Sequence, residues 1–329
     1  MTNPEHECWR PGASLHTLRQ RARLKRLLRE TLDARDWLEI DAPVLTDSPD
    51  FEPNIALFRA TLPDGTPAGS LHSSPELSMK RLLCAYPDLP GAYYLGPVFR
   101  AFEAGRRHNP EFTMLEWYDN GAMLETAIDT TITLIQAARE AVGLSPAPVE
   151  RHEYGVLFRR HCALDPYHAD TDTLAQAAGQ HGIDVADAAD MTRDDWLDLL
   201  MSLVIEPRLD PAAVTVVTGY PASQAAMARL ETTRFEDRAI HTAARFEVFG
   251  GGLELANGYH ELVDPDEQAR RLGANGAQQS SPSQQRFLTA LAHGLPDCSG
   301  VALGVDRLLM WLTGAEDIDA VLPFSARRV

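Results

Sequence analysis

The sequence has no apolar run that approaches the ~20 residues a membrane-spanning helix needs. Its first eleven residues are polar and lack an apolar stretch leading to a small-residue cleavage site. Neither a membrane span nor a secretory signal is expected, and the chain is expected in the cytoplasm. Cysteine is scarce: Cys8, Cys84, Cys162 and Cys298 are far apart, form no CxxC pair and have no histidine at zinc-ligand spacing. Buried, reduced thiols are expected rather than a disulfide framework or a zinc site. Positive charge is in deficit as well, with 30 Lys and Arg against 47 Asp and Glu, a formal net charge of −17. Proteins that grip nucleic acid draw most of their affinity from neutralising phosphates. The overall field here repels polyanions, which argues against a nucleic-acid partner. There is no internal repeat and no low-complexity tract.

What remains is the profile of a folded chain: 329 residues, 44% apolar and 23% charged, enough for one large domain or two ordinary ones. Leucines at 15, 18, 24, 28 and 32 predict a helix over 14–35, with Ser14 as its N-cap. Its other face carries Arg19, Arg21, Arg23, Lys25, Arg26 and Arg29, a solvated face or a surface for an acidic partner. Residues 37–44 read as a short strand stopped near Pro43, and residues 71–118 as strand-like pieces around a charged loop. A helix is predicted over 121–142, ended by Gly143 and the prolines at 146 and 148. Residues 151–206 read as a mostly helical insertion. Strands follow at 214–218 and 245–263, a helix at 283–293, then a strand at 301–303, a turn at Gly304 and a helix at 306–312. Strands irregularly interrupted by helices predict an α+β fold, with a mixed, mostly antiparallel sheet flanked by helices.

Two segments carry most of the chemistry. In residues 98–118 an arginine, Arg100, leaves one strand, a His108-Asn109-Pro110 turn follows, and Phe112, Glu116 and Tyr118 lie on the return. Such a hairpin sets a guanidinium beside an aromatic face and acidic side chains. Arginine's planar fork suits phosphate oxygens, an aromatic plane suits a purine, and carboxylates suit an ammonium. An ordinary hairpin with a basic tip accounts for the same residues taken alone. In residues 254–262, Asn257-Gly258 between β-prone residues predicts a two-residue hairpin turn. That register sets Glu254 opposite Glu261, a like-charge pair that destabilises a sheet. A bridging cation such as Mg²⁺, which takes one or two carboxylates and leaves its other sites to water and phosphate, resolves the conflict. A solvated acidic edge is the alternative.

Residues 98–118 resemble motif 2 of class II aminoacyl-tRNA synthetases, and the string from Arg107 to Tyr118 is similar to their lysine-specific branch. Residues 300–307 resemble motif 3 and residues 38–43 the weaker, proline-ended motif 1, so the resemblance runs from about Ser14 to the C-terminus. It implies a class II catalytic core over 14–329 behind a short tail, 1–13, with the insertion 151–206 between motifs 2 and 3. It also implies ATP and Mg²⁺. Arg100 would hold the α-phosphate and Arg307 would cover adenine and reach the terminal phosphate, as the catalytic pair. Ala101, Phe102, His108, Asn109, Phe112, Glu254, Leu255 and Gly304 would complete the ATP site, with Phe112 stacked on adenine and Gly304 allowing close backbone approach. Glu254 and Glu261 would hold the metal. Ser74, Pro75, Glu76, Glu116, Tyr118, Glu261 and Ala302 would line a pocket for an amino acid with two ammonium groups. The family often has glutamate where Phe102 stands here, so Glu103 or the backbone at 101–102 takes over that contact.

Lysyl-tRNA synthetases carry an anticodon-binding domain ahead of motif 1, and here motif 1 begins near residue 37. A lysine-type core without that domain resembles the elongation factor P β-lysine ligases, which join (R)-β-lysine to a lysine side chain of the translation factor. Ala302, where the lysine branch usually has glycine, favours β-lysine over α-lysine. The implied partners are elongation factor P, β-lysine and a second copy of the chain paired through motif 1, with no nucleic acid and no membrane. The rival readings are a truncated lysyl-type synthetase charging tRNA or another acceptor, a ligase acting on a small molecule or lipid, and a non-catalytic regulatory paralogue. The favoured reading requires Arg100 and Arg307 to serve one nucleotide, and Glu76 and Glu261 to embrace one diamine.

Overall fold

The leucine repeat folds as α1 (Leu15–Asp33), which buries Leu24, Leu28 and Leu32. The Ser14 hydroxyl accepts the Thr17 N–H at 3.1 Å, capping the first turn as expected. The computed structural model describes residues 9–47, 55–185, 188–274 and 281–329. Cys8 and most of the expected tail lie outside them; Cys84, Cys162 and Cys298 are buried free thiols. No helix among the described residues is long and apolar enough to cross a membrane.

The chain forms two compact units, Met1–Pro146 with Glu261–Val329, and Ala147–His260. In chain order the first opens with α1, β1 (Leu38–Glu39), β2 (Leu45–Thr46), β3 (Arg59–Thr61), β4 (Pro67–Leu71), α2 (Glu76–Ala85), β5 (Gly91–Phe99), β6 (Glu111–Asn120) and α3 (Leu124–Ala141). The second unit contains β7 (Val149–Glu153), α4 (Tyr154–Cys162), α5 (Thr171–Gln180), α6 (Arg193–Leu200), β8 (Val214–Pro221), β9 (Leu230–Phe235), β10 (Arg238–Gly250) and β11 (Leu253–His260). The first unit then closes with α7 (Pro265–Ala274), α8 (Pro282–Gly294), β12 (Cys298–Gly304) and α9 (Val305–Thr313).

In the first unit β1 runs parallel to β5, and β5, β6 and β12 pair antiparallel in that order. A small separate sheet has the order β2-β4-β3. Helix α9 packs on β6 and α3 on β12, so β6 is buried along most of its length, with Leu115 and Trp117 fully enclosed. In the second unit β10 is the long central strand, antiparallel to β8, β9 and β11, while β7 is parallel to β8. Helix α4 packs on β8, and Tyr154, Phe158, Trp196, Leu197 and Leu200 form an apolar core there. Both units are therefore mixed, mostly antiparallel sheets with helices on them, the fold class expected.

Two expectations need correcting. The hairpin is not at Asn257-Gly258: Leu253–His260 is one unbroken strand, with Asn257 opposite Glu247 and Gly258 opposite Phe246. The chain turns earlier, at Gly251 and Gly252, whose φ values of 63° and 71° suit the two-residue turn that a right-twisted hairpin needs. The register argument for Glu254 facing Glu261 falls with it. Residues 76–85 are helix α2, not a strand-like piece. Within the basic face of α1, Arg21 is internal: its guanidinium pairs with the buried Asp306 of α9 and donates to the Thr113 hydroxyl of β6 at 2.7 Å. The Asp306 carboxylate also accepts the Thr113 N–H at 2.8 Å. Three elements are thus tied at one point. Substituting Arg21→Met strands a buried carboxylate and should cost about 3 kcal/mol, measured by urea unfolding, with Asp306→Asn in the same chain recovering most of it.

Candidate active site

The alternation of β6 sorts its side chains into two sets. Leu115 and Trp117 face the helices, while Phe112, Met114, Glu116 and Tyr118 share the other face. On the neighbouring strand β12, Ala302 stands directly opposite Glu116 and Gly300 opposite Tyr118. Gly300 has no room for a side chain, since a Cβ there would collide with the Glu261 carboxylate and the Tyr118 ring. The sequence signal for it was only a glycine inside a strand, a mark of close approach.

Glu116 is 2% exposed. Its carboxylate accepts the Ser74 hydroxyl at 2.7 Å and the Tyr118 hydroxyl at 2.9 Å. The Ser74 hydroxyl also accepts the Glu76 N–H at 2.9 Å, so it fixes the first turn of α2, where Pro75 is the N-cap. Glu76 sits in that turn, where the helix dipole favours negative charge. The predicted cage residues Ser74, Pro75, Glu76, Glu116, Tyr118, Glu261 and Ala302 therefore do gather in the first unit. Sequence reasoning missed the residue at their centre. The Lys80 ammonium, one turn along α2, lies 2.6 Å from a Glu76 oxygen and 2.5 Å from a Glu261 oxygen, and 5.8 Å from the centroid of the Tyr118 ring. One ammonium thus brings Glu76 and Glu261 within the span of a single cation.

The electrostatics follow from burial. Removal from water, with Glu76 nearby, pushes Glu116 up to about 8, against the two hydroxyl donors and Lys80, which favour the ionised form. Burial pulls the Lys80 pKa down, but the Glu261 and Glu76 carboxylates more than reverse this and hold it above its ordinary value. Burial, then Glu116, likewise raises the Tyr118 hydroxyl well above its usual range, so it stays a donor.

The nucleotide-type residues lie at the loop between β5 and β6 and at α9. The Arg100 guanidinium stands over the Phe112 ring, 5.3 Å from its centroid, and 3.7 Å from the Glu103 carboxylate. This is the guanidinium beside an aromatic face that the hairpin predicted. Arg307, in the first turn of α9, meets the His108 ring nitrogen at 2.6 Å, joining the loop to the motif 3 helix. Gly304 is the N-cap of α9 with φ of −77°, a conformation open to any residue, so backbone strain does not require glycine there. Asn109 is buried, donates to the Glu111 carbonyl at 2.6 Å and accepts the Ala326 N–H at 2.8 Å, a stitch between the loop and the C-terminal segment. Ala101 pairs with Ala56 in a short bridge, and Phe102 follows with φ of 65° and its ring 94% exposed. Glu254 and Leu255 belong to the second unit, on β11, where Glu254 pairs with Phe249 and Leu255 is buried. The described residues contain no cluster of three or more His, Cys, Asp or Glu able to hold a metal by themselves.

A mixed antiparallel sheet, a loop arginine over a phenylalanine, and a strand–turn–helix with an arginine in its first turn define a class II synthetase core. The family described as tRNA synthetases class II (D, K and N) matches residues 7–328, and the chain belongs to it. Its relatives are more particular. The chain is 38% identical to the elongation factor P–(R)-β-lysine ligase of Haemophilus ducreyi, over 97% of each. It is 38% identical to the Pasteurella multocida ligase of that name, over 97% of this chain and 98% of the relative. The Yersinia enterocolitica ligase is also 38% identical, over 98% and 99%.

The raised pKa of Glu116 has a measurable sign. A carboxyl whose folded-state value lies above its ordinary one stabilises the fold while protonated, and that contribution is lost as pH rises through about 8. Thermal unfolding of the ligand-free protein should therefore show stability declining from about pH 4.5 to about 8 and levelling off above it, and Glu116→Gln should remove that part of the decline.

Proposed function

We propose that the chain is an ATP-dependent ligase that adenylates (R)-β-lysine and transfers it to a lysine side chain of elongation factor P. The observation that carries this reading is the buried acidic cage. The buried Glu116 and Glu261 and the partly exposed Glu76 gather around Lys80 and Tyr118, and buried carboxylates call for cationic partners. The relatives' names point the same way.

In the first step the substrate's ammonium groups dock in the cage, with its carboxylate directed towards the nucleotide. A carboxylate oxygen attacks the α-phosphorus of ATP, the bond to the bridging oxygen breaks, and pyrophosphate leaves. Arg100 stabilises charge growing on the α-phosphate, an electrostatic contact of the kind whose loss costs about 10²–10³ in rate. Phe112 offers its face to adenine, and Arg307, braced by His108, meets the far end of the nucleotide. In the second step the acceptor amine attacks the acyl carbon and AMP leaves. Magnesium would enter on the ATP phosphates, since it takes few protein carboxylates and neutralises phosphate charge. Pairing of two copies through the β1 region is part of the same reading.

Incubation with ATP, (R)-β-lysine and elongation factor P should add one β-lysyl group to the factor by mass spectrometry. Charging of tRNA with no mass gain on the factor would refute the proposal in favour of a truncated synthetase. Glu116→Gln should raise KM for the amino acid by about 10²-fold while leaving KM for ATP unchanged, read by amino-acid-dependent pyrophosphate exchange.

A further inference from the structure

An ammonium pocket needs carboxylates; nothing in the reaction needs a lysine inside it. Lys80 is nevertheless there, 1% exposed, with two acidic partners on one nitrogen. Stability alone is a weak account of such a residue. Burying an ion pair costs heavily in lost hydration, and apolar residues of like volume often serve as well or better. The chain moreover carries only two lysines among its 30 basic residues, Lys25 and Lys80, so an ammonium at this position stands out from the arginine used elsewhere.

We propose that Lys80 is the specificity-determining positioning residue of the amino-acid pocket: it ties Glu76 to Glu261 and cancels one of the cage's three negative charges, leaving the two that a diamine substrate neutralises. The inference rests on the adenylating reading above and deepens it. Each partner is held independently. Glu76 is fixed by the first turn of α2 and lies four residues before Lys80, so the two reach each other along one helix face. Glu261 is positioned by its N–H, which donates to the Cys298 carbonyl of β12 at 3.0 Å. Gly300 leaves room for its carboxylate against Tyr118. Glu116 is set by the Ser74 and Tyr118 hydroxyls. With Lys80 in place, and with Glu116 ionised by an incoming ammonium, the cage bears three carboxylates and one ammonium. A substrate with two ammonium groups brings the sum to zero, while its own carboxylate reacts outside the cage. An analogue with one ammonium leaves a buried negative charge unmatched, and sites with buried polar partners reject such analogues strongly.

The test is amino-acid-dependent pyrophosphate exchange with β-lysine and with 3-aminohexanoate, the same skeleton lacking the terminal amine. The wild type should prefer the diamine in kcat/KM by at least about 10²-fold. Lys80→Met, which alters the charge sum by one, should lose most of that preference through the KM for the amino acid, with KM for ATP unchanged. Glu76→Gln alters the sum in the opposite direction and should lose preference too. The double variant K80M/E76Q restores a net of two negative charges and should regain preference over either single variant. Because it removes the ion pair as a unit, it carries the test even where Lys80→Met alone unfolds. Full preference kept by Lys80→Met, or a double variant no better than the singles, would overturn the role of Lys80 and leave the ligase reading standing. A wild type showing no exchange with either amine would overturn both.

Discussion

The Lys80 ammonium between Glu76 and Glu261 is the contact on which the pocket depends. Two carboxylates drawn out of water, Glu116 and Glu261, and the partly exposed Glu76 beside them repel one another, and the low-dielectric surroundings magnify the repulsion. A cation supplied by the chain makes the arrangement tolerable before any ligand arrives. It links the start of α2 to the segment entering α7, two parts of the chain nearly 200 residues apart in sequence. Glu116 is left as the carboxylate whose ionisation depends on what enters.

The sheet supplies the geometry around that contact. On one face of β6, Trp117 and Leu115 are sealed by helices, and this rigid backing sets the directions of Glu116 and Tyr118 on the other. β12 contributes absence, with Gly300 and Ala302 presenting almost no side chain opposite the two pocket residues. The Arg21–Asp306–Thr113 knot holds β6 against α9, so the strand carrying the amino-acid residues and the helix carrying Arg307 keep one relationship. Within the first unit, the cage residues of β6 and Arg307 of α9 thus share a frame built from backbone pairing and one buried ion pair.

Much of this was legible in the sequence where a signal was local. The leucine repeat of α1, the 121–142 helix and the two strands of motif 2 follow from side-chain period, and the fold class followed from their order. The errors have physical causes. Asn257-Gly258 is a strong turn signal, but paired partners on β10 at both positions kept it extended, and three consecutive glycines at 250–252 took the turn instead. Helix α2 was hidden because Lys80 occupies a core-facing position beside Met79 and Leu83, breaking the apolar stripe. A Glu-to-Lys spacing of four normally reads as a surface pair. Only tertiary structure reveals that this one is buried. The same holds for Arg21, an ordinary member of a basic face until Asp306, 285 residues later, turns it inward.

An enzyme of a family that activates acyl groups carries an amine of its own in the cage, that of Lys80. Acylation proceeds through a nitrogen lone pair. The carboxylates of Glu76 and Glu261 keep that lone pair occupied by a proton, so the buried amine is held in its unreactive form. The charges that build the cage thus also silence the amine nucleophile inside it.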